Sequence, residues 1–279
     1  MVAVWWNGGV VTCEKDRERI RAVLEWLDPT RGGRAWNSFQ TMKRLFGWTR
    51  IDTEITWVTL SDSKVTDDWL VNLKRFPNLM GVALHNRQVG AGLDDLHDFM
   101  ELTTVNIKFA SDRHLVELRR LPQLESLGLM EPQSGDIGLE SLTSLSKLNS
   151  LFIGDCVSTG GVLEGLPELP SLQSLVIADC TGFVDDDLRH LLRLPNLNYL
   201  DIVCRKASLG DVALEHLSQL DRLETLALRT PWTDVTDEGL AKLAALKSLE
   251  QIYVMGDQCS PSQLQRLRKA LPNCSITVQ

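Results

Sequence analysis

The residues that could carry chemistry are first of all six cysteines, Cys13, Cys156, Cys180, Cys204, Cys259 and Cys274. Thiolates held by a C-x-x-C spacing bind zinc or run redox exchange. No pair has that spacing, and Cys156, Cys180 and Cys204 stand 24 residues apart, which is a structural period and not a ligand pattern. The five histidines, His85, His97, His114, His190 and His216, are scattered along the chain. No G-x-S-x-G, P-loop or H-E-x-x-H occurs, so neither a nucleophile elbow, a phosphate cradle nor a helical zinc site is spelled out. The glycine pairs Gly8-Gly9, Gly32-Gly33 and Gly160-Gly161 lack the context of a phosphate loop. The expectation is a chain that is not an enzyme and that uses no cofactor and no metal.

The elements that would have to position any site follow a strict pattern. From Ile55 onward the spacing L-x-x-L-x-L recurs at Ile55/Val58/Leu60, Leu79/Val82/Leu84, Leu102/Val105/Ile107, Leu124/Leu127/Leu129 and Leu148/Leu151/Ile153. It continues at Leu172/Leu175/Ile177, Leu197/Leu200/Ile202, Leu223/Leu226/Leu228 and Leu249/Ile252/Val254. Successive starts are 24, 23, 22, 24, 24, 25, 26 and 26 residues apart. Positions four and six alternate as the buried face of a short strand does. Pro77, Pro122, Pro170 and Pro195 each stand two residues before a strand's first apolar residue, where proline ends a helix and launches an extended segment. Leucines spaced by three follow, as in Leu139/Leu142/Leu145, Leu188/Leu191/Leu194 and Leu240/Leu243/Leu246, and predict helices. Thr66-Asp67-Asp68 and Thr236-Asp237-Glu238 are the clearest helix starts, with a capping hydroxyl and acids at the positive end of the dipole. A tenth, partial strand is expected near Ile276 and Val278, its register left open by Pro272. One such unit cannot bury its apolar face alone, so the units must stack.

Val235-Thr236-Asp237-Glu238-Gly239-Leu240, continued by Leu243, Leu246, Leu249, Ile252 and Val254, resembles the leucine-rich repeats of bacterial proteins and the cysteine-containing repeats of F-box proteins. Val65-Thr66-Asp67-Asp68-Trp69-Leu70 matches too, with Trp69 in place of the family glycine. The resemblance covers residues 55–279. It implies an α/β fold, a right-handed leucine-rich-repeat solenoid with a parallel sheet on the concave side and helices on the convex side. In many such repeats Asn or Cys at position nine bonds the turns of its neighbours. Here that column reads Ser63, Arg87, Ala110, Pro132, Cys156, Cys180, Arg205, Pro231 and Asp257, so a continuous ladder is not expected. Cys156 and Cys180 should be buried behind the sheet as small hydrophobes with a weak donor.

Residues 1–54 lack the repeat. Apolar positions at Ile20, Val23, Leu24 and Leu27, and at Trp36, Phe39, Leu45 and Phe46, predict two helices. Seven of the eight tryptophans lie in the first 69 residues. A helical, tryptophan-rich cap over the first repeat accounts for both, because a stacked array exposes an apolar end. Domains are therefore expected at 1–54 and 55–279, the second holding nine repeats and the partial strand. The alternative is an F-box-like adaptor whose N-terminal segment recruits a second protein, although Ala22-Val23-Leu24-Glu25-Trp26 has no leading Leu-Pro.

The net charge is −8. Residues 1–50 hold nine Lys/Arg against five Asp/Glu, so the acid excess belongs to the repeats. An acidic body disfavours nucleic acid as a partner. No run of 18 apolar residues predicts a membrane span, and the opening MVAVWWNGGVV lacks the basic start of a signal peptide. A cytoplasmic monomer that binds an unidentified protein is the expectation. The positions between the leucines mark where: Met130, Phe152, Val176, Tyr199, Val203, Tyr253 and Met255 form an apolar and aromatic patch, with Asp155, Asp179, Asp201 and Arg229 bordering it or interleaved with it. Aromatics among charges are the composition of an interface hot spot.

Overall fold

The computed structural model describes residues 2–6, 9–10, 56–60, 73, 76, 78–85, 96, 98–132, 138–156, 159–182, 184–204, 209–255 and 260–278. They form two compact units, Met1–Lys108 and Phe109–Gln279.

In the first unit β1 (Val2–Trp6) pairs antiparallel with β2 (Gly9–Val10) and with β3 (Trp57–Leu60). The strands β4 (Gly81–Leu84) and β5 (Thr104–Lys108) then add in parallel, with Val58, Val82 and Val105 in one cross-strand row. The N-terminal hairpin was not marked by the repeat pattern. The two helices expected between residues 14 and 47 lie outside the described residues. Trp57 faces Gly81 across the pair, and its ring fills the space that a Cβ there would need.

The second unit carries the regular array. Its strands are β6 (Ser126–Met130), β7 (Ser150–Gly154), β8 (Ser174–Ala178), β9 (Tyr199–Val203), β11 (Thr225–Leu228), β13 (Gln251–Val254) and β14 (Ser275–Val278), all parallel and joined in that order. Position four makes one row: Leu127, Leu151, Leu175, Leu200, Leu226, Ile252 and Ile276. Position six makes a second, from Leu129 to Val278. The pairing of Ile252 with Ile276 puts Asn273 at position one of the last strand and closes the register that Pro272 left open.

Helices return the chain to each next strand at Asp112–Leu118, Leu139–Ser144, Thr159–Gly165, Asp185–Arg193, Asp211–Leu217, Asp237–Lys242, Leu243–Ala245 and Pro261–Ala270. Three of them, Leu139–Ser144, Asp185–Arg193 and Leu243–Ala245, are 3₁₀. Residues three apart eclipse in a 3₁₀ turn, so L-x-x-L-x-x-L lays its leucines on one line there, and the same spacing keeps them on one stripe of the α-helices Asp112–Leu118 and Asp211–Leu217. Leu188 and Leu191 are almost wholly buried in this way.

Successive helices are tied by carboxylates. The first-turn aspartate of one helix accepts a backbone N–H from the residue just before a later one. Gly138 N–H donates to Asp112 Oδ1 at 3.1 Å, Gly210 N–H to Asp185 Oδ2 at 3.0 Å, and Thr236 N–H to Asp211 Oδ1 at 2.8 Å. Each link crosses one repeat and satisfies a donor that the helix start would otherwise leave free. The Thr236 hydroxyl also donates to Asp211 Oδ2, at 2.5 Å, and accepts from Gly239 N–H at 3.3 Å. The glycine of V-T-D-E-G-L is explained by the same contact, because a Cβ on Gly239 would run into the Asp211 carboxyl group.

The turn after each strand shows why no ladder of position-nine side chains exists. Phe109, Glu131, Asp155 and Asp179, all at position eight, have positive φ of 65°, 45°, 54° and 51°. This left-handed step sends Ala110, Pro132, Cys156 and Cys180 into the interior. Each position-eight N–H is satisfied by the carbonyl of position seven one repeat on, for example Asp155 N–H to Ala178 O at 2.9 Å. Cys156 and Cys180, expected as separate buried hydrophobes, are joined as a disulfide. The 24-residue period itself brings them together, their Cα atoms 4.5 Å apart in neighbouring turns. In the next two repeats the step is missing. Cys204 and Thr230, at position eight, turn inward, and Cys204 N–H donates to Thr230 Oγ1 at 3.2 Å. These repeats are longer, and the extra residues make a side pair, β10 (Leu209–Gly210) with β12 (Trp232–Asp234). Trp232 is thus buried in a strand rather than loose in a turn.

Two outcomes follow from this packing. Helix propensity alone makes Gly239→Ala stabilising by about 1 kcal/mol. The contact with Asp211 reverses the sign, to a loss of about 1–3 kcal/mol in urea unfolding. The Asp211→Ala, Gly239→Ala double variant should then lose less than the sum of the two single losses, and additivity would refute the contact. Leu226, wholly buried between Leu200 and Ile252, places a lone charge in the core when changed to Asp. Leu226→Asp should strip amide-exchange protection from β11, β13 and β14, and unchanged protection would overturn the register.

Candidate functional site

Positions three, five and seven of each strand point away from the helices. All eleven residues expected to form a binding surface lie in the second unit. The pairing sets Gly128, Phe152, Val176, Asp201, Ala227 and Tyr253 in one row across β6 to β13. Met130, Gly154, Ala178 and Val203 form the position-seven row beside it. Arg229 and Met255 follow β11 and β13 at the same repeat position, and Tyr199 stands two residues before Asp201 on β9. Strands about 4.8 Å apart put Phe152 and Tyr253 about 19 Å from each other.

Met130, Phe152, Val176, Tyr199, Arg229, Tyr253 and Met255 are all partly exposed. Small neighbours make room for the rings. A Cβ on Gly154 would come within 2.6 Å of the Phe152 ring, so the ring lies over that glycine. Asp155 and Asp179 are exposed, and their left-handed backbone holds them at the rim of the sheet. Aspartate tolerates that conformation better than most side chains do.

Asp201 lies within the patch, in the row between Val176 and Ala227. It points outward yet keeps only 8% of its side-chain surface exposed, enclosed in a polar cluster. Arg229, 32% exposed, pairs with it, Nη2 lying 3.4 Å from Oδ2. Asp201 Oδ1 and Arg229 Nε are both shielded and have no hydrogen-bond partner. Burial raises the Asp201 pKa, while the Arg229 charge and a hydrogen bond from Tyr199 work in the other direction without cancelling it. Burial raises the Tyr199 pKa as well, and the Asp201 charge adds to that shift. Ala227, at position five of β11, is fully buried in its row between Asp201 and Tyr253. Alternation predicts direction, but a small residue between large neighbours is covered by them.

The described histidines are occupied elsewhere. His114 Nδ1 accepts from Ser111 N–H at 3.1 Å at a helix start, and His216 Nε2 lies 3.2 Å from Asp186 Oδ1. His190 is buried on the Asp185–Arg193 helix, its pKa lowered first by burial and then by Arg189 and Arg193. His85, in the first unit, is lowered by burial and by Lys108. Cys204 is a buried free thiol with its pKa pushed up to about 11 by burial, a poor nucleophile. Among the described residues no group of three or more His, Cys, Asp or Glu is placed to hold a metal ion, and no helix is long and apolar enough to cross a membrane.

The sequence matches no known family profile, and it matches none of the curated proteins. Solved structures do resemble it. A leucine-rich-repeat protein of Leptospira interrogans aligns with a TM-score of 0.49 and 20% identity, over 74% of this chain and 50% of that one. Internalin C2 of Listeria monocytogenes aligns with a TM-score of 0.39 and 21% identity, over 81% of both chains. Another internalin of that organism aligns at 0.34 and 14%, over 81% of this chain and 82% of its own. The architecture is that of a leucine-rich-repeat protein. Its in-register strands and intervening helices establish this on their own, and the present chain spans only half the length of the Leptospira protein.

The polar cluster gives the site a measurable signature. The chain has two tyrosines, Tyr199 and Tyr253. In Asp201→Asn, loss of the carboxylate charge should lower the Tyr199 pKa toward the ordinary phenol value without reaching it, since burial remains. Absorbance titration of tyrosinate should show one of two transitions moving down. An unmoved pair of transitions would place Asp201 away from Tyr199.

Proposed function

We propose that the protein is a non-catalytic interaction module that binds a protein partner on the open face of the second unit's strands, the face expected to be concave. One observation supports this above the others. Met130, Phe152, Val176, Tyr199, Tyr253 and Met255 present partly exposed apolar surface on a single sheet face, while the leucines behind them are sealed in the core. Isolated exposed apolar residues are ordinary on any surface. Their gathering on one rigid face, rimmed by Asp155 and Asp179, has the composition of a hot spot within a polar rim. Rigid backbone under the aromatics keeps the entropic cost of ordering them on binding low.

The test is a double change on this face. Phe152→Ala with Tyr199→Ala should leave the far-ultraviolet spectrum and the unfolding midpoint nearly unchanged, because neither residue is in the core. Proteins cross-linked to the parent chain in its native lysate should be lost from the variant, by at least tenfold in quantitative mass spectrometry. Retention of the same partners at the same level would exclude this face.

A further inference from the structure

The chemistry of the partner can be drawn from the charge on this face, and the inference rests on the interaction reading above. Among the described residues at positions three, five, seven and eight of the second unit there are four acids, Glu131, Asp155, Asp179 and Asp201, and a single cation, Arg229. Glu131, Asp155 and Asp179 occupy equivalent left-handed positions in successive repeats, so their charges recur along one edge at the strand spacing of about 4.8 Å. Asp201 is the independent observation. Its side chain is more than nine-tenths buried, Oδ1 has no hydrogen-bond partner, and its compensation is a hydrogen bond from Tyr199 and one ion pair, Arg229 Nη2 lying 3.4 Å from Oδ2. A buried carboxylate so incompletely compensated is stabilised by further positive charge brought close to it. Tyr199 lies beside it and Tyr253 lies two strands away, and both offer ring faces that attract cations.

We propose that the open face of the second unit receives a short basic segment of its partner. One lysine or arginine side chain lies against Tyr199 and Tyr253 near Asp201, and others face the row formed by Glu131, Asp155 and Asp179. The patch from Phe152 to Tyr253 spans about 19 Å, which about six residues of extended chain cover. An acidic segment is disfavoured, since Arg229 is engaged by Asp201 and three further carboxylates would repel it.

Fluorescence polarisation with labelled (Gly-Arg)₄ and (Gly-Glu)₄ peptides tests this on the full chain. The arginine peptide should bind and weaken as salt is raised, and the glutamate peptide should not bind. Asp155→Asn with Asp179→Asn removes two charges at no backbone cost, because asparagine is equally suited to positive φ. It should weaken the arginine peptide at least fivefold, and Tyr199→Leu should weaken it further. The control Glu140→Gln with Glu238→Gln removes the same charge from two exposed helix sites and should change nothing. Equal losses in the two charge variants mean diffuse attraction to an acidic protein and overturn the proposal, as does equal binding of the two peptides. If Phe152→Ala with Tyr199→Ala abolishes native cross-linking while Asp155→Asn with Asp179→Asn leaves it intact, the interaction face stands and the basic segment is refuted. If neither double variant affects cross-linking, both readings fall.

Discussion

Everything in the second unit depends on the lateral match of two apolar rows, positions four and six of each strand. A single repeat exposes as much of its leucine layer as it covers, so no repeat is stable by itself. Burial becomes favourable only when Leu175 has Leu151 on one side and Leu200 on the other. The same match delivers each outward residue to a defined place in its row. Site geometry and core packing are therefore one constraint seen from two faces of the sheet.

Polar bonding refines what the apolar rows begin. On the helix side, Asp112, Asp185 and Asp211 each accept an N–H one repeat away. On the turn side, the left-handed residues at position eight hand their N–H groups to the neighbouring carbonyl. Both devices satisfy buried or half-buried backbone without a column of identical side chains. Where the left-handed step ends, Cys204 and Thr230 replace it with a side-chain bond and a two-strand flap.

Much of this was legible in the sequence. The L-x-x-L-x-L spacing located the strands because alternation and burial are local consequences of extended backbone. It also placed Phe152, Val176, Tyr199 and Tyr253 on one face of the sheet. Three features escaped it. The 3₁₀ character of Leu139–Ser144 and Asp185–Arg193 was present in the spacing by three, but that spacing also fits one stripe of an α-helix. The Cys156–Cys180 bond is not spelled out by a spacing of 24, which reads as a period, yet a period is what makes neighbours. The burial of Asp201 depends on Tyr199 and Arg229 closing around it, which no column of a repeat alignment contains.

The glycine of V-T-D-E-G-L is specified by a side chain in the preceding repeat. Gly239 is small because Asp211 reaches into its place, and Asp211 reaches there to hold Thr236. The unit of inheritance in this array is therefore a junction rather than a repeat. A repeat moved behind one with no aspartate at that point would keep its leucines in register yet lose its hold on the neighbouring helix. Duplication, shuffling or consensus redesign of this protein should cut just ahead of a helix, so that Asp185 stays with Gly210 and Asp211 with Thr236.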